Sequence, residues 1–152
     1  MEKERHSLSI VSKQFAVLVV SLLLHLHGSE VDAQTPHLIT TFSGGSSGFS
    51  GDGGLATSAQ LNPESENFRV ALDANGDVYI ADVGNHRIRK ITVADGIITT
   101  VAGNGVQGFA GDGGSATSAS LDRPSNIAFD SNGDMFVLDS GNNRVRKVDF
   151  ST

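Results

Sequence analysis

The chain has 152 residues, a formal net charge of −6 and no cysteine. An acidic surface repels phosphate backbones and anionic lipids, so this charge argues against binding of nucleic acid or of a membrane surface. The lack of cysteine excludes a disulfide framework, so stability has to come from burial or from assembly.

The N-terminal segment has the three parts of a secretory signal peptide. Three basic residues precede the apolar run Phe15–Leu26, and Val31-Asp32-Ala33 supplies the small residues of a cleavage site. The apolar run is too short to cross roughly 30 Å of hydrocarbon as a helix. We therefore predict that residues 1–33 are removed, and that residues 34–152 form a secreted or periplasmic chain without a membrane anchor.

The remainder of the chain is organised around a stretch that occurs twice. It reads GFSGDGGLATSAQL at 48–61 and GFAGDGGSATSASL at 108–121. A matching tail follows each copy, LDANGDVYIADVGNHRIRKI at 72–91 and FDSNGDMFVLDSGNNRVRKV at 129–148. Self-similarity at such a spacing indicates a repeat architecture.

The tails predict short antiparallel strands. Their β-branched and aromatic runs are bounded by turn residues, and Asn75-Gly76 and Asn132-Gly133 are strong hairpin signals. The pattern predicts an isolated strand at 37–42, a four-stranded sheet over 68–102 and three strands over 126–149. The glycine-rich stretches predict long loops that end in a short helical turn.

A four-stranded antiparallel sheet that recurs along a chain is the blade of a β-propeller, so we predict an all-β fold of two such repeats. The tail DANGDVYIADVGNHRIRKI resembles an NHL repeat, with Asn85-His86-Arg87-Ile88 and Asn142-Asn143-Arg144-Val145 in place of the Asn-His-Leu run. The segment TVAGNGVQGFAGDGGSATSASLDRP resembles the inter-blade segment of a bacterial exported NHL subgroup. The resemblance implies NHL-like propeller blades, which serve as protein-binding, nucleic-acid-binding and sensor domains and have enzymes among their relatives.

Two repeats are too few to close a propeller within one chain, because known propellers have roughly four to eight blades. The strand at 37–42 lacks a blade, and the three strands over 126–149 lack an outer partner. Either the chain is a truncated member without independent function, or several copies close a ring. A homo-trimer would have six blades if the first strand of each copy completed the last blade of its neighbour.

The topology also predicts where a ligand would bind. In a four-stranded meander, the loops after the second and the fourth strand emerge at the same end, and binding residues collect on loops held by a rigid scaffold. We call this end the loop face, and expect an unknown protein or glycan ligand there. Its candidate residues are Asp52, Asp82, Asn85, His86, Asp112, Asn142 and Asn143.

No cofactor, metal site or catalytic residue is predicted. The DANGD and DSNGD runs lack the glycine and glutamate positions of a calcium loop, so the hairpin interpretation is favoured. His86 is the one histidine within the repeats, which is too little for zinc. The alternative is a propeller-type lyase or hydrolase with a divalent cation, but Asn67 and Asn126 stand where its ligands would be expected.

Two carboxylates are predicted to be structural. Asp82 and Arg87, like Asp139 and Arg144, lie five residues apart across a tight turn. That spacing lets the carboxylate accept hydrogen bonds from the turn or face the arginine, and would pin the blade.

Overall fold

The computed structural model describes residues 38–64 and 69–150, so the predicted signal peptide lies outside the described residues. The chain divides into two units, residues 1–39 and residues 40–152. The second unit contains the strands, which are β1 (Val70–Leu72), β2 (Val78–Asp82), β3 (Arg87–Thr92), β4 (Ile97–Ala102), β5 (Pro124–Phe129), β6 (Met135–Asp139) and β7 (Arg144–Val148).

The strands form two antiparallel meanders. One sheet has the order β1-β2-β3-β4 and the other has the order β5-β6-β7. The predicted four-plus-three arrangement of strands over 68–102 and 126–149 is therefore found, in an all-β chain whose described residues contain no α-helix. No described helix is long and apolar enough to cross a membrane.

The Asn-Gly turns form hairpins as predicted. Leu72 pairs with Val78, and the intervening loop is closed by the Asp73 carboxylate, which accepts the N–H groups of Asn75 at 2.9 Å and Asp77 at 3.0 Å. Gly76 has φ +82°, a conformation that glycine adopts without steric cost. The carboxylate of Asp130 closes the second hairpin in the same way.

The strand predicted at 37–42 is not formed, since residues 38–42 carry no strand and residue 37 lies outside the described residues. A strand needs a hydrogen-bonded neighbour, and the prediction assigned this segment to a blade that the chain itself does not contain. The first strand of each blade also differs from prediction. β1 begins at Val70, and residue 68, where the first strand was predicted to begin, lies outside the described residues, whereas β5 begins at Pro124, two residues before the predicted Asn126.

The third strand of the first blade is more buried than its sequence indicates. The imperfect alternation of Arg87-Ile-Arg-Lys-Ile91 predicts a strand that is half exposed, twisted or bulged, and β3 has a bulge between Ile88 and Arg89. However, Arg89 and Ile91 are fully buried beneath the first glycine-rich loop, and Ile88 is fully buried on the other face, against the second sheet. In the second blade, Val145 of β7 is exposed, as expected for an edge.

The apolar core has two parts. One cluster joins the two sheets and includes Tyr79, Ala81, Met135 and Val137. The other packs the helical turn of the first glycine-rich loop onto the first sheet, and its members are Ala56, Ala59, Ile80, Ile91 and Ile98. The predicted short helical turns are 3₁₀ turns at Ala56–Ser58 and Ala116–Ser118.

Candidate ligand-binding face

The first glycine-rich loop runs along β4 and holds it in the blade. The N–H of Gly53 donates to the Ile98 carbonyl at 2.8 Å, and the Ile98 N–H donates to the Gly54 carbonyl at 3.0 Å. The Ala56 N–H donates to the Gly96 carbonyl at 2.9 Å. The loop thus acts as a connector whose backbone polar groups continue the pairing of the sheet.

Glycine is required within this loop for two reasons. Gly51 has φ +86°, and a Cβ atom there would lie 2.8 Å from the Ala59 Cα. Gly111 repeats both features, with φ +90° and a distance of 2.7 Å to the Ala119 Cα. The loop folds back on its own helical turn at these points, so a side chain has neither the conformation nor the space that it needs.

Arg89 is the centre of the first blade's polar network. Its guanidinium lies 2.7 Å from the Asp52 carboxylate and 3.3 Å from the Asp82 carboxylate. It also donates to the carbonyls of Ser50 at 3.1 Å and Gln60 at 3.4 Å. Five N–H donors in a planar fork suit this set of acceptors. One arginine therefore joins the sheet to the glycine-rich loop.

Asp82 is buried and fixes the turn after β2. Its carboxylate accepts the Asn62 N–H at 2.7 Å and the Asn85 side-chain amide at 2.9 Å. The same amide of Asn85 donates to the Gly48 carbonyl at 2.7 Å. Asp82 and Asn85 thus tie the turn to both ends of the loop, and Asp82 has no surface left for a ligand.

Of the two contacts that were expected for Asp82, the one with the turn is formed through the Asn85 amide, whereas the one with Arg87 is not, because Asp82 pairs with Arg89. Arg87 lies directly opposite Asp82 in the sheet, yet its guanidinium donates to the carbonyls of Asn104 at 2.7 Å and Asn85 at 3.2 Å. Arg89 lies two residues further along the same face. Its guanidinium pairs diagonally with Asp82 and at the same time with Asp52. The second carboxylate makes the diagonal contact the better one.

The second blade repeats this network. Arg146 lies 2.6 Å from the Asp112 carboxylate and 3.4 Å from the Asp139 carboxylate, so Arg146 replaces Arg144 as the partner. The Asn142 amide donates to Asp139 and to the Gly108 carbonyl, each at 2.8 Å. The recurrence shows that these contacts belong to the repeat and not to one copy of it.

His86 and Asn143 occupy equivalent positions with left-handed backbone, at φ +54° and +53°. Asparagine is among the residues that tolerate this conformation best. The Nδ1 of His86 accepts the Arg123 N–H at 3.2 Å and lies 3.8 Å from the Asp122 carboxylate. His86 thus links the turn of the first blade to the segment that leads into the second, while Asn143 is exposed.

The candidate residues therefore form two equivalent clusters, one for each blade, and most of their polar groups bond to the protein. Within each cluster, the aspartate of the GDGG sequence is the most accessible carboxylate, with 37% of the Asp52 side chain and 67% of the Asp112 side chain exposed. The described residues contain no group of three or more His, Cys, Asp or Glu side chains that could hold a metal ion.

Sequence reasoning missed an aromatic pair on the same loops. The Arg87 guanidinium carbon lies 3.8 Å from the centre of the Phe49 ring, and that of Arg144 lies 4.0 Å from the centre of the Phe109 ring. The phenylalanines remain 41% and 45% exposed. The signal that could have found them is the Gly-Phe pair that opens both copies of the repeated stretch.

Shifts in pKa occur at the opposite end of the blade, beside the hairpin turns. A hydrogen bond from the Lys90 ammonium, at 2.7 Å, and another from the Val93 N–H lower the pKa of Asp77. The Asp134 carboxylate raises the pKa of Lys147. Both are structural pairs within a sheet.

Repeated antiparallel meanders joined by such loops define β-propeller blades, and solved structures share this fold. An auxiliary nutrient binding protein from Bacteroides thetaiotaomicron matches with a TM-score of 0.53 and 26% identity, over 67% of this chain and 26% of its own. A second protein of that organism, provisionally named a phosphatase, matches with a TM-score of 0.54 and 25% identity, over 70% of this chain and 25% of its own.

The family model of the NHL repeat matches residues 69–91 and 121–148. NHL repeat-containing protein 2 of Gallus gallus is 36% identical over 104 residues, which are 68% of this chain and 13% of that relative. The chain therefore belongs to the NHL-repeat proteins, as its sequence pattern indicated, and spans a small part of the length of this relative.

Proposed function

We propose that this chain is a non-catalytic binding module of an exported NHL propeller, and that its ligand contacts the loop face. The ligand class that we expect is a protein, with a glycan as the other possibility. The observation that carries the proposal is the exposed Phe–Arg stack that recurs in both blades.

Each stack combines a half-exposed ring with a fixed cation. The ring of Phe49 has Arg87 at 3.8 Å and Arg89 at 4.9 Å, and the ring of Phe109 has Arg144 at 4.0 Å and Arg146 at 4.9 Å. Aromatic residues and arginine are enriched in protein interfaces, where they contribute much of the binding energy.

The polar network beneath each stack supports the same function. Because Arg89, Asp82 and Asn85 fix the loop to the sheet, the ring and the guanidinium are ordered before any ligand arrives. Preorganised side chains lose little conformational entropy on binding. The likeness to a nutrient binding protein is compatible with this role, although one propeller fold hosts many functions.

The test compares two double variants in a binding selection. Peptides from a random display library and glycans on an array are probed with the purified wild-type chain, and the binders are titrated against each variant. Phe49→Ala/Phe109→Ala should weaken binding at least about tenfold. The control is Leu72→Ala/Val93→Ala, which removes exposed apolar side chains at the opposite end of the first blade, and it should retain affinity.

The exposed Arg144→Ala variant serves as a second measurement if the double phenylalanine variant fails to fold. Equal affinities for the wild type, Arg144→Ala and the phenylalanine variant would contradict the proposal, as would the absence of any binder. Export is tested separately, by intact mass of the protein recovered from a secreting host. The expected mass is that of a chain that begins at Gln34, and the mass of a chain that begins at Met1 would contradict export.

A further inference from the structure

The outer edge of β7 differs from the outer edge of β3. In the first blade, β4 pairs with β3 and completes a four-stranded sheet. In the second blade, no described strand lies beside β7, although its sequence matches that of β3. A groove of about 740 Å³ runs between β7 and the second glycine-rich loop, with Val137, Val145 and Val148 in its lining.

The first blade shows what would fill such a groove. Ile98 of β4 is fully buried between Ile91 and the helical turn of the loop, and its backbone bonds to Gly53 and Gly54. The Thr100 hydroxyl donates to the Asp52 carboxylate at 2.6 Å. A strand beside β7 would be held through the same backbone pair at Gly113 and Gly114, and through the Asp112 carboxylate.

A segment of the chain has the required sequence. Leu38-Ile-Thr-Thr-Phe42 corresponds to Ile97-Ile-Thr-Thr-Val101 of β4. The backbone after each segment confirms the alignment, because the Gly44 N–H donates to the Ala56 carbonyl as the Gly103 N–H donates to the Ala116 carbonyl. Residues 38–42 form no strand, and the side chains of Leu38, Ile39 and Phe42 are exposed.

We propose that residues 38–42 of a second copy of this chain add to β7 as the fourth, antiparallel strand of the second blade. The register of β3 with β4 pairs Ile91 with Ile98, Lys90 with Thr99 and Arg89 with Thr100. The corresponding pairs between copies place Ile39 opposite Val148, Thr40 opposite Lys147 and Thr41 opposite Arg146.

This register decides which side chains become buried. Ile39 takes the place of Ile98 and enters the apolar cluster beneath the second loop, while Thr41 donates to Asp112 as Thr100 donates to Asp52. Thr40 takes the place of Thr99, which is exposed in the first blade. When a strand adds to an open edge, backbone hydrogen bonds supply affinity, and pockets for alternate side chains supply specificity.

The contact joins residues 38–42 of one copy to β7 of another, so the two surfaces are different. Such an interface is heterologous and forms a ring when its rotation closes. Three copies, each with the two blades of the described residues, would give six blades, within the range of propellers. Pairing also removes an open edge that would otherwise favour aggregation.

The first experiment measures the mass of the purified chain in solution and of two matched variants. The wild type should have the mass of an oligomer, with a trimer expected. Ile39→Asp should weaken assembly about a hundredfold or more, since it would bury a charge in place of an apolar side chain. Thr40→Asp introduces the same charge one residue later, on the exposed side, and should assemble like the wild type.

A second experiment tests the register. The chain has no cysteine, so Thr40→Cys with Lys147→Cys introduces one pair of sulfurs, which the proposed strand pairing brings together between copies. Oxidation should give covalent oligomers on a non-reducing gel. Thr40→Cys with Thr57→Cys, a position on the exposed part of the first loop, should not cross-link in this way.

Loss of assembly in Ile39→Asp alone, together with the specific cross-link, would support the proposal. A monomeric wild-type chain at tens of micromolar would overturn it. An oligomer that tolerates Ile39→Asp or lacks the Thr40–Lys147 cross-link would overturn it equally, because the chain would then assemble through another surface.

Discussion

The two repeats have nearly the same sequence motifs but differ in burial. Arg89 is fully buried and Arg146 has 11% of its side chain exposed, while exposure of the paired aspartate rises from 37% at Asp52 to 67% at Asp112. Ile88 is fully buried, whereas the corresponding Val145 is 65% exposed. The arginine and aspartate are more exposed in the sheet that has three described strands, and Val145 is exposed because no described blade packs on it as the second blade packs on Ile88. Neighbouring elements, and not the motif itself, therefore decide how far water reaches.

The largest expected difference between the repeats concerns their central arginines. Arg89→Met should destabilise the chain by about 3–5 kcal/mol, because it leaves Asp82 buried without its cation. Arg146→Met should cost less, about 1–3 kcal/mol, since Arg146 and its second partner Asp112 are partly exposed, even though Asp139 is buried like Asp82. Urea unfolding measures both. Equal losses would mean that the open edge does not weaken the second network.

A second comparison concerns the apolar residue that precedes each arginine. Ile88→Ala should cost about 2–5 kcal/mol through lost burial and a cavity. Val145→Ala should stay within about 0.5 kcal/mol in a dilute, monomeric sample, because its side chain is exposed. Unfolding at two protein concentrations sharpens this comparison, since the proposed assembly would place the first blade of a neighbouring copy over Val145, as the second blade covers Ile88, and increase the cost in the concentrated sample. A large cost in the dilute monomer would contradict the exposed edge.

Substitution of two equivalent glycines distinguishes the cost of backbone strain from the cost of steric overlap. Gly44 and Gly103 have φ +85° and +88°, so Gly→Ala strains both by about 1–2 kcal/mol. A Cβ at Gly103 would also overlap the His86 carbonyl oxygen, whereas at Gly44 its nearest neighbour is the Leu61 Cδ1 at 3.6 Å. Gly103→Ala should therefore lower stability by about 1–3 kcal/mol more than Gly44→Ala. Thermal unfolding of the two variants measures the difference. Equal shifts of Tm would argue against a close approach between residue 103 and the His86 carbonyl oxygen.

The smallest expected effect is a pH dependence at the hairpin end. Lys90 and the Val93 N–H lower the pKa of Asp77 from its ordinary value of 3.8, so the unfolded chain binds the proton more tightly. The contribution of Asp77 is then fully present above that value and is lost as the pH falls through the lower, folded-state pKa. The stability difference between the wild type and Asp77→Asn should be constant near neutral pH and shrink below about pH 4. A difference that grows on acidification would have the wrong sign.

Most strands could be predicted from the sequence, because turn residues and apolar runs act over a few neighbouring residues. The Asn-Gly turns and the apolar runs between them located the hairpins of both blades, and Ala56 and Ala59 marked the turn that packs on the sheet. The partner of Asp82 was not predictable in this way. Arg87 and Arg89 point to the same face, and the choice between them depends on Asp52, a residue 30 positions earlier than Asp82 that only the folded loop brings close.

The sequence by itself determined the repeat, the order of its strands and the positions where the backbone must turn, because hydrophobic alternation and turn chemistry act over a few residues. The tertiary structure decided which arginine is the centre of each network, and that Asp82 and Asn85 bond to the protein on the proposed loop face. It also decided that the same motif is sealed in one blade and open in the other. That difference depends on β4, since only a neighbouring strand can pair the edge of a sheet and exclude water from the side chains beneath it.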